Sequence, residues 1–307
     1  VGPITKTITS ATATYPIFTP NGDALSETVS VSYDLSESAF LQVKVKRDGK
    51  LIRRSTTWAQ KGAGTVRWNG RNDAGKYVSD GKYNISLTPT DRAGNKGKSK
   101  VVTVKVLNSI KNPSVAPVYF YAKDGDALAA STKLNAKLRR QATVSWIIRD
   151  SSGRVVRRAI DGEQRLPGTV PFVWDGKDDD GARVSGGRYT ARVKVQTAAG
   201  WYAHEVKMFN VPFMGSTSSW KRTRGETVKL TVSSTERLLK KPVVTVKQPG
   251  LTKYTVPRTS ITKVAPDKWR VVIKTKAKGN KGDMAVKVIG TDTGGGTNTK
   301  TFTFKLR

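Results

Sequence analysis

The chain contains no cysteine and only one histidine, His204. Without cysteine there is no disulfide framework, no thiolate nucleophile, no Cys-ligated zinc and no iron–sulfur cluster. A single histidine also removes paired-His metal motifs and leaves a His-based catalytic triad without support. Acidic residues are scarce: 23 Asp and Glu stand against 55 Lys and Arg, a formal net charge of +32 over 307 residues. No apolar run approaches the roughly 20 residues that cross a bilayer, so no transmembrane segment is expected. What is present is 36% hydrophobic and 8% aromatic residues, enough for packed cores and too much for a disordered polycation.

The chain repeats itself. Trp68-Asn69-Gly70, Gly75, Gly81 and Tyr83 return in the same order as Trp174-Asp175-Gly176, Gly181, Gly187 and Tyr189. Upstream, Gly22-Asp23-Ala24-Leu25 returns as Gly125-Asp126-Ala127-Leu128, and Ile52-Arg53-Arg54 returns as Val156-Arg157-Arg158. Three blocks in one order with a period near 100 residues, about the size of an immunoglobulin-like sandwich, indicate two copies of one domain. Apolar and polar residues alternate with period two over 28–33, 41–46, 102–106, 189–195 and 301–306, the pattern of half-buried antiparallel strands. Asp48-Gly49, Asn69-Gly70, Ser152-Gly153 and Asp175-Gly176 mark turns between them. The stretch from Phe213 lacks the Trp-x-Gly block, but its strands and its Thr291-Asp292 turn echo the first copy. The expected fold is all-β: three consecutive immunoglobulin-like antiparallel β-sandwiches at 1–112, 113–212 and 213–307, the last divergent and highly basic. Pro113, Pro117 and Pro212 mark semi-rigid joints.

Two signatures carry a family resemblance. One is Phe18-Thr19-Pro20-Asn21-Gly22-Asp23; the other is the Trp-(Asn/Asp)-Gly block with its later glycines and tyrosine. Over roughly residues 15–107 and 118–211 the chain resembles the Ig-like module of flagellar hook-capping (FlgD-type) proteins and of many secreted bacterial proteins. The second copy departs from the first signature, reading Ala122-Lys123-Asp124-Gly125-Asp126. The resemblance implies a spacer, assembly or adhesion module in extracellular or cell-surface proteins and brings no catalytic residue with it. Nothing resembles the amino-terminal region of a hook-capping protein, so a flagellar role is not implied.

The repeated block reads first as structure: Trp68 and Trp174 bury aromatic area, the glycines serve turns and Tyr83 and Tyr189 follow in the next strands. Its rival is a Ca²⁺ site, for which Asp175, Asp178 and Asp180 are the candidate ligands, although the EF-hand spacing is missing. No other cofactor is expected. His204 reads as an ordinary strand residue beside Glu205.

Half of the net +32 lies in residues 213–307. Its candidate polyanion-binding residues are Lys221, Arg222, Arg224, Lys240, Lys241, Lys274, Lys276, Lys278 and Lys281. Lys274, Lys276 and Lys278 would share one face of a continuing strand. Lysine on sheet edges also guards against edge pairing, but that does not call for so large a field of one sign, which favours anionic partners. Teichoic acid, an acidic polysaccharide or an anionic surface fits; sequence-specific nucleic-acid motifs are lacking. Trp220 and Trp269 adjoin basic residues and read as core or rim aromatics. The function expected is therefore a non-catalytic extracytoplasmic tether. Accessory domains of a secreted hydrolase, or a subunit of a surface assembly, are the alternatives.

Overall fold

The computed structural model describes residues 8–14, 16–22, 24–198 and 200–307; Asp23 of the repeated Gly-Asp-Ala-Leu block lies outside them. The first sandwich comprises β1 (Ile8–Thr14), β2 (Ile17–Phe18), β3 (Val29–Leu35), β4 (Ala39–Arg47), β5 (Lys50–Ala59), β6 (Gly62–Trp68), β7 (Gly81–Thr90) and β8 (Lys100–Val106). The second comprises β9 (Ile110–Ala116), β10 (Tyr119–Phe120), β11 (Thr132–Leu138), β12 (Ala142–Arg149), β13 (Val155–Arg165), β14 (Gly168–Thr169), β15 (Phe172–Trp174), β16 (Gly187–Thr197) and β17 (Gly200–Asn210). The third comprises β18 (Phe213–Ser216), β19 (Lys221–Arg222), β20 (Thr227–Ser234), β21 (Val243–Lys247), β22 (Tyr254–Thr255), β23 (Ile261–Ala265), β24 (Lys268–Lys274), β25 (Gly282–Thr291) and β26 (Thr297–Leu306).

All three sandwiches share a plan. A five-stranded sheet runs β2-β8-β7-β4-β5 in the first, β10-β17-β16-β12-β13 in the second and β19-β26-β25-β21-β22 in the third. Facing it are β1-β3-β6 in the first, the sheet of β9, β11, β14 and β15 in the second, and β18-β20-β24-β23 in the third. The third sandwich thus keeps the arrangement without the repeated block. One departure from a purely antiparallel sandwich recurs. A two-residue strand near the start of each domain pairs in parallel with the last: β2 with β8, β10 with β17 and β19 with β26.

Alternation explains the layers. In β3, Val29, Val31, Tyr33 and Leu35 face inward; in β20, Val228, Leu230 and Val232 do so while Thr227 and Lys229 are exposed. The inward residues form three separate cores, centred on Trp68, on Trp146 with Trp174, and on Trp269. Residues 134–140, which mix helical and strand spacing, contribute β11, paired with β9 and β15.

The joints are buried and polar. Leu107, Asn108 and Ser109 connect the first two sandwiches, and β9 runs across position 112/113, so the second sandwich begins before the expected break. Pro113 is accommodated because β9 is an edge strand, where one missing amide breaks no ladder. Asp80, 5% exposed, accepts hydrogen bonds from Asn108 N (2.7 Å) and from Ser109 Oγ, with Arg140 Nε 3.9 Å away. At the second joint, Thr235 Oγ1 donates to Val211 O (2.6 Å) and Thr235 N to Pro212 O (2.9 Å).

Candidate functional sites

The basic residues of the third sandwich divide between its two ends. The register of β20 with β24 sets Thr227 opposite Lys274 at the end remote from the second sandwich, and the register of β25 with β26 sets Gly282 opposite Leu306 there. Lys221 and Arg222, paired with Lys305 and Leu306, lie at the same end, as do Arg224, Lys274, Lys276, Lys278 and Lys281. Lys240 and Lys241 do not join them. Leu239 N donates to Thr291 O (3.0 Å), which places that segment at the joint end.

The expectation that Lys274, Lys276 and Lys278 continue one strand face is corrected: β24 stops at Lys274. The cause is Gln248, 1% exposed. Its Nε2 donates to Lys276 O (2.7 Å) and Lys278 O (2.9 Å), and its Oε1 accepts from Lys276 N (2.9 Å). A buried amide therefore takes the backbone groups that a strand partner would take, and the chain leaves the sheet as a clamped loop. Arg224 Nη1 closes the clamp on Gly279 O (2.7 Å). The ammonium groups stay outside: Lys274, Lys276, Lys278 and Lys281 are exposed. The first three line one side of a cleft of about 940 Å³ whose apolar wall includes Leu251, Tyr254, Val256 and Ile273. Arg222 is half-buried and turned back onto Ser218 Oγ (2.7 Å), so it braces the end. Trp269 is in the core at 3% exposure, whereas Trp220 is 39% exposed and stacks on Phe302 at 6.1 Å.

The repeated block is built into the cores. Trp68 lies 5.5 Å from Phe18 and 5.2 Å from Tyr83; Trp174 lies 5.3 Å from Phe120 and 5.0 Å from Tyr189. Each indole N–H donates to a turn carbonyl three residues on, Arg71 O (2.9 Å) and Lys177 O (2.7 Å). Tyr83 and Tyr189 hydroxyls donate to Ser79 O and Ser185 O. Gly70 and Gly176 have φ of +66° and +73°, and each backs onto the opening segment of its own domain, against Pro20 and Ala122 respectively. Gly75 and Gly181 close the following turns at φ +72° and +82°, while Gly81 and Gly187 open β7 and β16.

The acidic loop of the second copy is equally engaged. Asp175 Oδ1 accepts from Lys177 N (3.2 Å), and Asp178 Oδ1 accepts from Asp180 N (3.1 Å) and Ala182 N (2.8 Å). Asp179 accepts from Arg158 N (2.8 Å) and Nη1 (2.9 Å), and the backbone hydrogen bond, followed by the Arg158 charge, holds its carboxyl below the ordinary range. Asp175, Asp178 and Asp180 do not converge as a ligand set among the described residues. The set that does converge is Asp124, Asp126 and Glu236, whose oxygens lie within 4.8 Å of one another between the second and third sandwiches. Burial, with Asp124 and Asp126 beside it, pushes Glu236 up to about 8; burial also raises Asp126.

Residues 21–93 and 123–199 match the model of the FlgD Ig-like domain. The first two sandwiches resemble the FlgD Ig-like domain over these two stretches. No curated protein matches the chain. Among solved structures, a tetra-tandem repeat in the extending region of a large adhesion protein is 13% identical, with 98% of this chain and 75% of that one covered at a TM-score of 0.26. Trypsin-activated alpha-2-macroglobulin from Escherichia coli is 10% identical at a TM-score of 0.32; 96% of this chain is covered, which spans only 23% of the macroglobulin. Dimeric latent PorU from Porphyromonas gingivalis is 10% identical at a TM-score of 0.25, covering 98% of this chain and 34% of that one.

Within the second sandwich, His204 sits in β17 opposite Val193, and Glu205 opposite Arg192. Tyr119, 40% exposed, and Trp201, 48% exposed, are aromatics that this domain shows to solvent, and Trp201 has Lys194 Nζ 5.5 Å and the Arg192 guanidinium 6.0 Å from its ring. No helix among the described residues is long and apolar enough to cross a membrane.

Proposed function

We propose that the chain is a non-catalytic extracellular or cell-surface module string, or a piece of one. Its third sandwich holds an acidic polymer, such as teichoic acid or an acidic polysaccharide, through the basic end described above. The observation that carries this reading is the convergence of Lys274, Lys276, Lys278 and Lys281 on a loop fixed by Gln248 and Arg224. A fixed backbone lowers the ordering cost of binding, and clustered ammonium groups raise the local concentration of a polyanion. The first two sandwiches act as spacers, since the side chains of their repeated blocks are committed to turns and cores.

The test is binding of poly(glycerol phosphate) to the whole chain. Affinity is expected to fall at least about tenfold between low and physiological salt as the Debye length shortens. Changing Lys274, Lys276 and Lys278 together to Glu should cost a further factor of about ten or more, while Lys240→Glu with Lys241→Glu, at the opposite end, leaves affinity within about twofold. No binding at low salt, or equal loss from both sets, overturns the proposal.

A further inference from the structure

The second and third sandwiches meet at a cluster made only of oxygen donors and one amide. Asp124 and Asp126 follow β10, Glu236 follows β20, and Asp292 and Asn298 flank and open the β25–β26 hairpin turn. Glu236 is 3% exposed, Asp292 0% and Asn298 1%. Asp292 Oδ1 is taken up by Gly294 N and Gly296 N at 2.9 Å each. Asn298 Nδ2 reaches Asp292 Oδ2 (3.0 Å) and Glu236 Oε2 (2.6 Å). That leaves Glu236 Oε1, both carboxylate oxygens of Asp124 and Asp126 Oδ2 shielded from solvent with no hydrogen-bond partner. They face one another. A Cβ placed on Gly296 would lie 2.6 Å from Asp292 Oδ2, 3.3 Å from Asp126 Oδ2 and 3.4 Å from Asp124 Oδ2, so carboxylates of both domains crowd one point beside a bare backbone.

Carboxylates brought together away from water need a compensating positive charge. The protein supplies one at the first joint, where Asp80 has Arg140, Asn108 N and Ser109 Oγ. At the second joint it does not: among the described residues no Lys or Arg pairs with Asp124, Asp126, Glu236 or Asp292, in a chain of 55 such residues. A bound cation would supply that charge. Hard oxygen donors from several carboxylates, without His or Cys, suit Ca²⁺, which accepts irregular shells of six to eight ligands, better than Mg²⁺ or a transition metal.

We propose that Asp124, Asp126, Glu236 and Asp292 form a Ca²⁺ site that joins the second and third sandwiches. Asp124, Asp126 and Glu236 supply the free oxygens and Asp292 Oδ2 completes the carboxylate wall. The site is separate from the basic end, and its test contains no polymer. EDTA-stripped protein is titrated with CaCl₂ by calorimetry and melted with Ca²⁺ or Mg²⁺ at equal ionic strength. One Ca²⁺ should bind per chain with a Kd on the order of 10⁻⁴ M or tighter. Ca²⁺ well above that Kd should raise a thermal transition by about 5 °C or more, with a smaller effect of Mg²⁺. Glu236→Gln should lose most of the Ca²⁺ response while still folding in EDTA. Asp178→Asn, in the turn of the second module, should keep that response. Absence of Ca²⁺ binding by the unmodified chain overturns the proposal whatever the variants do. So does a Glu236→Gln protein that retains the full Ca²⁺ response.

Discussion

Trp174→Ala should destabilise the second sandwich by about 3–5 kcal/mol, the range for truncating a buried large aromatic. The indole is 0% exposed, is held between Phe120 and Tyr189 and donates to Lys177 O, so its removal leaves a cavity and an unpaired turn carbonyl together. In scanning calorimetry the transition of that domain should drop by more than about 10 °C, given a domain near 100 residues. The transitions of the other two, whose cores are separate, should stay in place. Trp201→Ala is the contrasting case. That side chain is 48% exposed, and the change should fall within about 0.5 kcal/mol. A Trp174→Ala protein that melts like the parent would show that the aromatic trio does not hold the module together.

Gly70→Ala should cost roughly 2–5 kcal/mol, and Gly75→Ala distinctly less. Both residues sit in the left-handed region, at φ +66° and +72°. A side chain there costs about 1–2 kcal/mol, partly offset by a stiffer unfolded chain. They differ in what a new methyl group meets. At Gly75 nothing lies within 4 Å, whereas at Gly70 the Pro20 ring occupies the space and Phe18 Cε2 is 3.4 Å away. Overpacking adds about 1–3 kcal/mol at Gly70 alone. Urea unfolding of the two variants side by side measures the difference; equal losses would mean that the Pro20 contact yields freely.

These contacts show what a sequence reading reaches. Strands such as β3 and β20 are legible because one face is buried, and burial imposes alternation on Val29, Val31 and Tyr33 or on Val228, Leu230 and Val232. The sandwich fold is legible because the turn chemistry of Trp68-Asn69-Gly70 repeats at Trp174-Asp175-Gly176. The short parallel strands are not, since the two residues of Tyr119–Phe120 or Lys221–Arg222 cannot display a period. Nor is the stop of β24 after Lys274, which depends on Gln248, remote in sequence and an unremarkable residue there. The acidic joint is hidden for the same reason. Asp124-Gly125-Asp126 and Thr291-Asp292 look like ordinary turn formers, Glu236 stands alone, and only the docking of two domains puts their oxygens side by side. Charge counting led instead to Asp175, Asp178 and Asp180, whose local density is the signature of tight turns.

The short parallel pairings have a mechanical meaning. In each sandwich backbone bonds link the short early strand to the leaving one, among them a bond at either end of the pairing. These end bonds are Lys105 N to Pro16 O and Leu107 N to Phe18 O in the first, and Phe209 N to Val118 O and Val211 N to Phe120 O in the second. The third has Lys305 N to Trp220 O and Arg307 N to Arg222 O. Strands that enter and leave in parallel send the chain in at one pole and out at the other, so tension along the string runs through every module in series. Pulled this way, the paired bonds slide against each other and carry the load together, where a hairpin would open one bond at a time. Each module is thereby a small shear clasp, and a string of three resists stretching at three matched places.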